Sequence, residues 1–115
     1  MNNAWEALFA ATLTLSSAGP IKQRLAAAFT QHLERLERRE LPTELREDFD
    51  KLANQLCAIK PMRGETAVQA TVRKMSDLQA GEQALHIVEM LGTFTRLQQQ
   101  PRQPVLRAIK SDGQG

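Results

Sequence analysis

The apolar residues of this chain recur at helical spacing in several successive segments. The clearest segment contains Leu45, Phe49, Leu52, Leu56 and Ile59, separated by steps of four, three, four and three. This spacing places the side chains on one face of an α-helix, which we expect to span residues 43–59. Strand signals are missing, because the sequence has no sustained period-two alternation and no Asn-Gly or Asp-Gly turn. The pattern therefore predicts an all-α protein.

Two helices are predicted before this segment, and a glycine and two prolines separate the elements. Gly19 can take a positive φ and Pro20 suits the first turn of a helix, so we place a break there. Pro42 ends the next helix because its ring and missing N–H interrupt the hydrogen-bond ladder. On the first helix, residues 3–17, the side expected to face inward carries Trp5, Leu8, Phe9 and Leu13. On the second, residues 20–40, it carries Leu25, Phe29, His32, Leu33 and Leu36.

Two more helices follow the loop at residues 60–64. The first, residues 65–75, turns Val68, Val72 and Met75 inward. Ser76 and Gln79 have the spacing of a capping box, which predicts a break and a last helix over residues 77–98. The side of that helix expected to face inward carries Ala80, Ala84, Ile87, Val88, Leu91 and Phe94.

The connections between these helices are short, and short connections place successive helices antiparallel. We therefore expect a compact antiparallel bundle of four to five helices with a flexible C-terminal tail. The chain has 115 residues, which is the length of a single domain with one core. We assign residues 1–98 to the bundle and residues 99–115, rich in Pro, Gln and Gly, to the tail.

Composition and charge exclude several classes of protein. Fifteen basic and thirteen acidic residues give a net charge of +2, too weak a field to indicate a polyanionic partner by itself. The single cysteine, Cys57, excludes an internal disulfide and fits a reducing, cytoplasmic location. No stretch reaches the ~20 apolar residues needed to cross a bilayer. The apolar N-terminus lacks a basic leader and contains Glu6, so we do not expect a signal peptide or a membrane partner.

Catalytic and metal-binding patterns are weak. Phosphate-binding glycine motifs are absent, and the neighbours of Cys57 supply no base that would activate a thiol. Glu82, His86 and Glu89 are spaced so that one ion could meet all three, but no fourth ligand is evident. We expect these residues to form an exposed helix face, and we expect no catalytic residue, no metal and no cofactor. A metal protein or enzyme centred on the last helix remains the second alternative.

The most highly charged stretch is RLERRELPTELRED, at positions 35–48. Acidic and basic side chains alternate along it, so each arginine has a carboxylate neighbour. Nucleic-acid affinity comes chiefly from unopposed lysines and arginines, which this mixture does not provide. We interpret the stretch as the solvated surface of two helices.

A weaker basic region lies between residues 60 and 79, which hold four basic and two acidic residues. Its cations are Lys60, Arg63, Arg73 and Lys74, the first two in the loop and the last two at the end of the short helix. Arg73 and Lys74 also suit the negative end of that helix without any ligand. A nucleic-acid-binding regulator using these four residues is the first alternative function.

The function we favour is a non-catalytic interaction or regulatory protein that acts through helix–helix packing. We expect its partner to be a protein or a second copy of itself, since two-fold homodimers are the commonest soluble oligomers. The tail offers a further weak contact site, because Val105, Leu106 and Ile109 are apolar residues in an otherwise polar segment.

Overall fold

Five α-helices form the protein in a computed structural model, which describes residues 3–99. They are α1 (Asn3–Leu15), α2 (Ile21–Ala28), α3 (Thr43–Leu56), α4 (Ala67–Lys74) and α5 (Asp77–Gln99). The described residues contain no strand, which confirms the all-α prediction. Residues 100–115 of the predicted tail, which include Val105, Leu106 and Ile109, lie outside the described residues. The predicted end of the domain at residue 98 stays a prediction. None of the helices between residues 3 and 99 is long and apolar enough to cross a membrane.

The predicted breaks between helices occur where local chemistry requires them. Gly19 takes a φ of 112°, and the Arg24 guanidinium, from the first turn of α2, donates to the carbonyls of Gly19 and Leu15 at the end of α1. Between α4 and α5, the Gln79 amide N–H donates to Ser76 Oγ, and the Ser76 amide donates back to the Gln79 side chain. This capping box confirms that α4 and α5 are separate helices.

The second helix ends earlier than the sequence predicts. After Ala28 it widens into one π-helical turn, Phe29–Leu33, and the chain then leaves the helix before a short 3-10 turn, Arg38–Glu40. After the π-helical turn the chain changes direction and buries Leu41 in the core, and Glu37 and Glu40 form a capping box around the 3-10 turn. At the surface, Arg38 pairs with Asp50 of α3 at 2.9 Å and Arg39 pairs with Glu37. Most charged side chains of the stretch are exposed, in agreement with its interpretation as solvated surface.

The core is formed by the five helices together and consists mainly of leucine and alanine. The stripe Leu45, Phe49, Leu52 and Leu56 of α3 is buried as predicted, whereas α3 ends at Leu56 and half-buried Ile59 lies beyond it. α4 begins at Ala67 rather than at residue 65, because Thr66 caps it by accepting a hydrogen bond from the Gln69 amide.

Two predicted inward faces are corrected by the structure. α1 buries Ala4, Leu8, Ala11 and Leu15, so Phe9 and Leu13 face outward and Trp5 is only half-buried. α5 buries Met90, while Val88 lies on the surface. In both helices the buried face is rotated relative to the predicted one, and large apolar side chains are left outside.

Candidate interaction surface

α1 and α5 pack side by side in opposite directions. At one end, the Trp5 indole N–H donates to Thr95 Oγ1 at 2.9 Å. At the other end, Lys22 at the start of α2 donates to the Arg73 carbonyl at 3.1 Å, close to the start of α5. Since α1 leads directly into α2, its C-terminal end lies beside the N-terminal end of α5.

The outer side of this helix pair is apolar. Among the described residues, six large hydrophobic side chains are exposed, and five of these belong to α1 and α5: Phe9 at 43%, Leu13 at 57%, Leu78 at 74%, Leu85 at 54% and Val88 at 41%. The antiparallel register fixed by Trp5 and Thr95 brings Leu13 level with Val88, about eight residues along each helix. We call the surface made by Trp5, Phe9, Leu13, Leu85 and Val88 the α1–α5 face.

Trp5 and Phe9 form an aromatic pair within the α1–α5 face. Their rings stack with centroids 5.2 Å apart and planes inclined by 8°. Thr95, which receives the indole N–H, itself donates to the Leu91 carbonyl at 2.9 Å. Aromatic side chains, above all Trp and Tyr, are enriched among the residues that contribute most to protein interfaces.

Most charged residues lie at the border of the α1–α5 face. The only charged residue of α1, Glu6, is three residues before Phe9 and lies on the same side of the helix, near its N-terminal end. On α5, Glu82, Glu89 and Arg96 lie further round the helix, away from α1. A patch of this kind, apolar in the middle and charged at the rim, has the anatomy of a protein-binding surface.

The four predicted basic residues do not form one open cationic site. The Arg73 guanidinium donates to Glu65 Oε2 at 2.7 Å, and this hydrogen bond raises the pKa of Arg73. The same hydrogen bond, together with the Met62 amide, lowers the pKa of Glu65. Arg73 therefore ties the loop to α4. Of the four residues, Lys60, Arg63 and Lys74 are exposed and form no ion pair within residues 3–99. This arrangement leaves fewer unpaired cations for binding a nucleic acid than the sequence suggested.

A groove of about 490 Å³ runs between α3 and α5 on the other flank of α5. It brings His86 and Glu89 together with Asp48, Lys51 and Arg96, whereas Glu82 lines a separate, smaller groove. Within residues 3–99, no group of three or more His, Cys, Asp or Glu side chains is arranged to hold a metal ion. The predicted cluster Glu82, His86 and Glu89 is thus split between two grooves.

His32 and Cys57 have structural surroundings. His32 Nε2 lies 3.0 Å from Thr14 Oγ1 and links the π-helical turn to α1. No carboxylate of the described residues is bonded to the imidazole, so nothing prepares it as a base for the threonine. Cys57 is exposed at the end of α3, where partial burial, and secondly the Glu34 carboxylate, raise its thiol pKa. Both changes favour the unreactive thiol over the thiolate.

Sequence reasoning missed the α1–α5 face because it placed Phe9 and Leu13 on the inward side of the first helix together with Trp5 and Leu8. One signal was available: α1 carries apolar residues on two sides, with Ala4, Leu8, Ala11 and Leu15 as a second complete stripe. No protein-family model matches the chain, and no curated protein or solved structure is significantly similar to it. Function has to be argued from the chain itself.

Proposed function

We propose that this chain is a non-catalytic interaction protein that acts through helix–helix packing and associates with itself through the α1–α5 face. One observation carries the proposal: α1 turns two alanines and two leucines inward and leaves Phe9 and Leu13 outside. In an isolated subunit, exposing the larger apolar side chains of a helix adds no stability, because stability comes mainly from burying such side chains.

A second copy is the occupant that the chemistry of the face favours. The α1–α5 face has no central charge, so two copies can meet without repulsion between identical charged groups at its middle. It also offers no concentrated charge that would select a strongly acidic or basic partner. The free thiol of Cys57 fits a reducing compartment, and we propose a cytoplasmic location.

Sedimentation equilibrium over a wide concentration range tests the proposal. We expect the wild-type mass to rise toward that of a dimer, and the double variant Leu13→Ser/Val88→Ser to stay monomeric. Met62→Ser is the matched control, because Met62 is 63% exposed but lies in the loop before α4, away from the α1–α5 face. A wild-type protein that is monomeric at every concentration would contradict self-association.

A further inference from the structure

α5 carries a row of exposed and half-exposed residues along its outer side. Leu78, Leu85 and Val88 are exposed apolar side chains, and Leu78 at 74% is the most exposed of the large hydrophobic residues described. Two glycines and a threonine complete the row at steps of three, four, three, four and three. We call this row the α5 seam: Leu78, Gly81, Leu85, Val88, Gly92 and Thr95.

The two glycines of the α5 seam have no packing reason within one subunit. A Cβ added to Gly81 would meet nothing within 4 Å, and one added to Gly92 would meet only the Arg96 side chain, at 3.6 Å. Glycine inside a helix lowers its stability relative to alanine. The space above Gly81 is therefore open, whereas Gly92, which also lines the groove between α3 and α5, has only the flexible Arg96 side chain above it. Another backbone can approach closely at both positions.

The order of residues in the α5 seam is symmetric about its midpoint. Reading outward from the centre, Leu85 and Val88 come first, then Gly81 and Gly92, and last Leu78 and Thr95. A two-fold axis through the midpoint would place Leu85 opposite the partner's Val88 and Gly81 opposite the partner's Gly92. Large side chains then meet at the centre, and the helices approach most closely over the glycines.

We propose that the dimer forms by antiparallel pairing of α5 with the α5 of a second copy across the α5 seam; this inference rests on the proposed self-association. The spacing is that of a heptad seam, which packs two helices side by side. The seam is about 26 Å long, and α1 alongside widens the surface to about 20 Å, a footprint on the order of 500 Å². This area is below the ~800 Å² per partner of a standard interface and fits a dimer that dissociates at low concentration.

Cysteine cross-linking tests the direction and register of the pairing. In a Cys57→Ala background, Gly81→Cys protein is mixed with Gly92→Cys protein and treated with a short thiol-to-thiol cross-linker. We expect covalent heterodimers in the mixture and little cross-linking of either variant alone, because identical positions are separated by eleven residues, about 16 Å along the helix. Efficient cross-linking of each variant alone, with no covalent heterodimer in the mixture, would show parallel pairing and overturn the inference.

A second pair of variants tests whether close approach over the glycines matters. Gly81→Gln/Gly92→Gln adds long side chains that meet open space in one subunit, so we expect the fold to be retained and the thermal midpoint of the monomer not to fall. The dimer dissociation constant should rise at least ~10-fold, because four added side chains crowd the paired helices. His86→Gln, on the flank facing α3, is the control and should leave dimerisation unchanged.

The outcomes separate the two proposals. If the wild-type chain dimerises but the glycine variants dimerise equally well and the cysteine mixture does not cross-link, pairing through the α5 seam is wrong and self-association stands. If the wild-type chain does not dimerise at any concentration, both proposals are wrong.

Discussion

Replacing either of two leucines on α1 with alanine should have opposite consequences. Leu8 is fully buried, whereas Leu13, five residues further along the same helix, is 57% exposed. Removing a buried leucine side chain costs about 2–5 kcal/mol, because apolar contacts are lost and a cavity remains. For a domain of about 100 residues this lowers the melting temperature by roughly 10–30 °C. Leu13→Ala should change the stability of the monomer by no more than about 0.5 kcal/mol.

The effect on association should be reversed. Complete burial of a leucine side chain contributes about 1.5–3 kcal/mol, so covering the exposed half of Leu13 contributes about 1–1.5 kcal/mol in each copy. Both copies lose this contribution in a homodimer, about 2–3 kcal/mol in total. Leu13→Ala should therefore raise the dimer dissociation constant roughly 30–150-fold.

Urea denaturation monitored by circular dichroism measures the first effect, and sedimentation equilibrium measures the second. Denaturation has to be performed at the lowest usable concentration, because dimerisation would add stability by mass action. The reasoning is refuted if Leu13→Ala destabilises the monomer as much as Leu8→Ala does. It is equally refuted if Leu13→Ala leaves the dissociation constant of a dimerising wild type unchanged.

Three further predictions concern the loop, the thiol and a helix cap. Arg73 holds the pKa of Glu65 below its ordinary value, so the Arg73–Glu65 ion pair should persist above the ordinary carboxyl pKa and be lost as the pH falls through the lowered pKa. Arg73→Gln should raise the pKa of Glu65 in an NMR titration. An unmoved pKa would contradict the pairing. The raised pKa of Cys57 means less thiolate at pH 8 than in an unfolded peptide, so its reaction with Ellman's reagent should be slower in the native protein than in urea, and Glu34→Gln should accelerate it. Thr66→Ala removes the side-chain cap of α4 and should lower the free energy of unfolding by about 1 kcal/mol in urea titrations, while an unchanged midpoint would show that the cap contributes nothing.

The sequence predicts most reliably the elements whose local pattern agrees with their tertiary contacts. α3 is the best example, because its single apolar stripe of Leu45, Phe49, Leu52 and Leu56 leaves one possible inward face. The break between α4 and α5 was also predictable, since the Ser76 and Gln79 capping box depends on residues three positions apart. Neither feature requires knowledge of a distant part of the chain.

The end of the second helix could not be predicted in this way. Residues 34–40 are good helix formers, yet the structure places Arg38 against Asp50 and uses Arg46 to donate to the Leu41 carbonyl at 3.0 Å. These contacts involve α3 and the residues just before it, so helix propensity, a local quantity of a few tenths of a kcal/mol per residue, does not reveal them. The same limitation applies to Arg73, whose ion pair with Glu65 removed it from the predicted cationic site.

The α5 seam could have been found from the sequence. Glycine inside a long helical segment lowers the stability of the helix, yet α5 has two. Gly81 and Gly92 are eleven residues apart and fall in the same heptad row as Leu85 and Val88, which lie between them. The prediction instead placed Val88 in the core, because an apolar residue on a helix was equated with an inward residue. The sequence does not show which side of α5 is exposed. The packing of α1 beside α5 determines it.

α1 shows why hydrophobic periodicity cannot by itself distinguish a core from an interface. One of its faces carries Ala4 and Ala11, which let α1 approach its neighbours closely, and the other carries Phe9 and Leu13. Rotating the helix to bury the aromatic side would expose Leu8 and widen the spacing between helices, so one subunit can satisfy only one face. A thirteen-residue helix with two apolar faces is stabilised fully only when both are covered. In the proposed dimer, a second copy would provide that cover with the same surface, which would account for the large apolar side chains that one subunit leaves exposed.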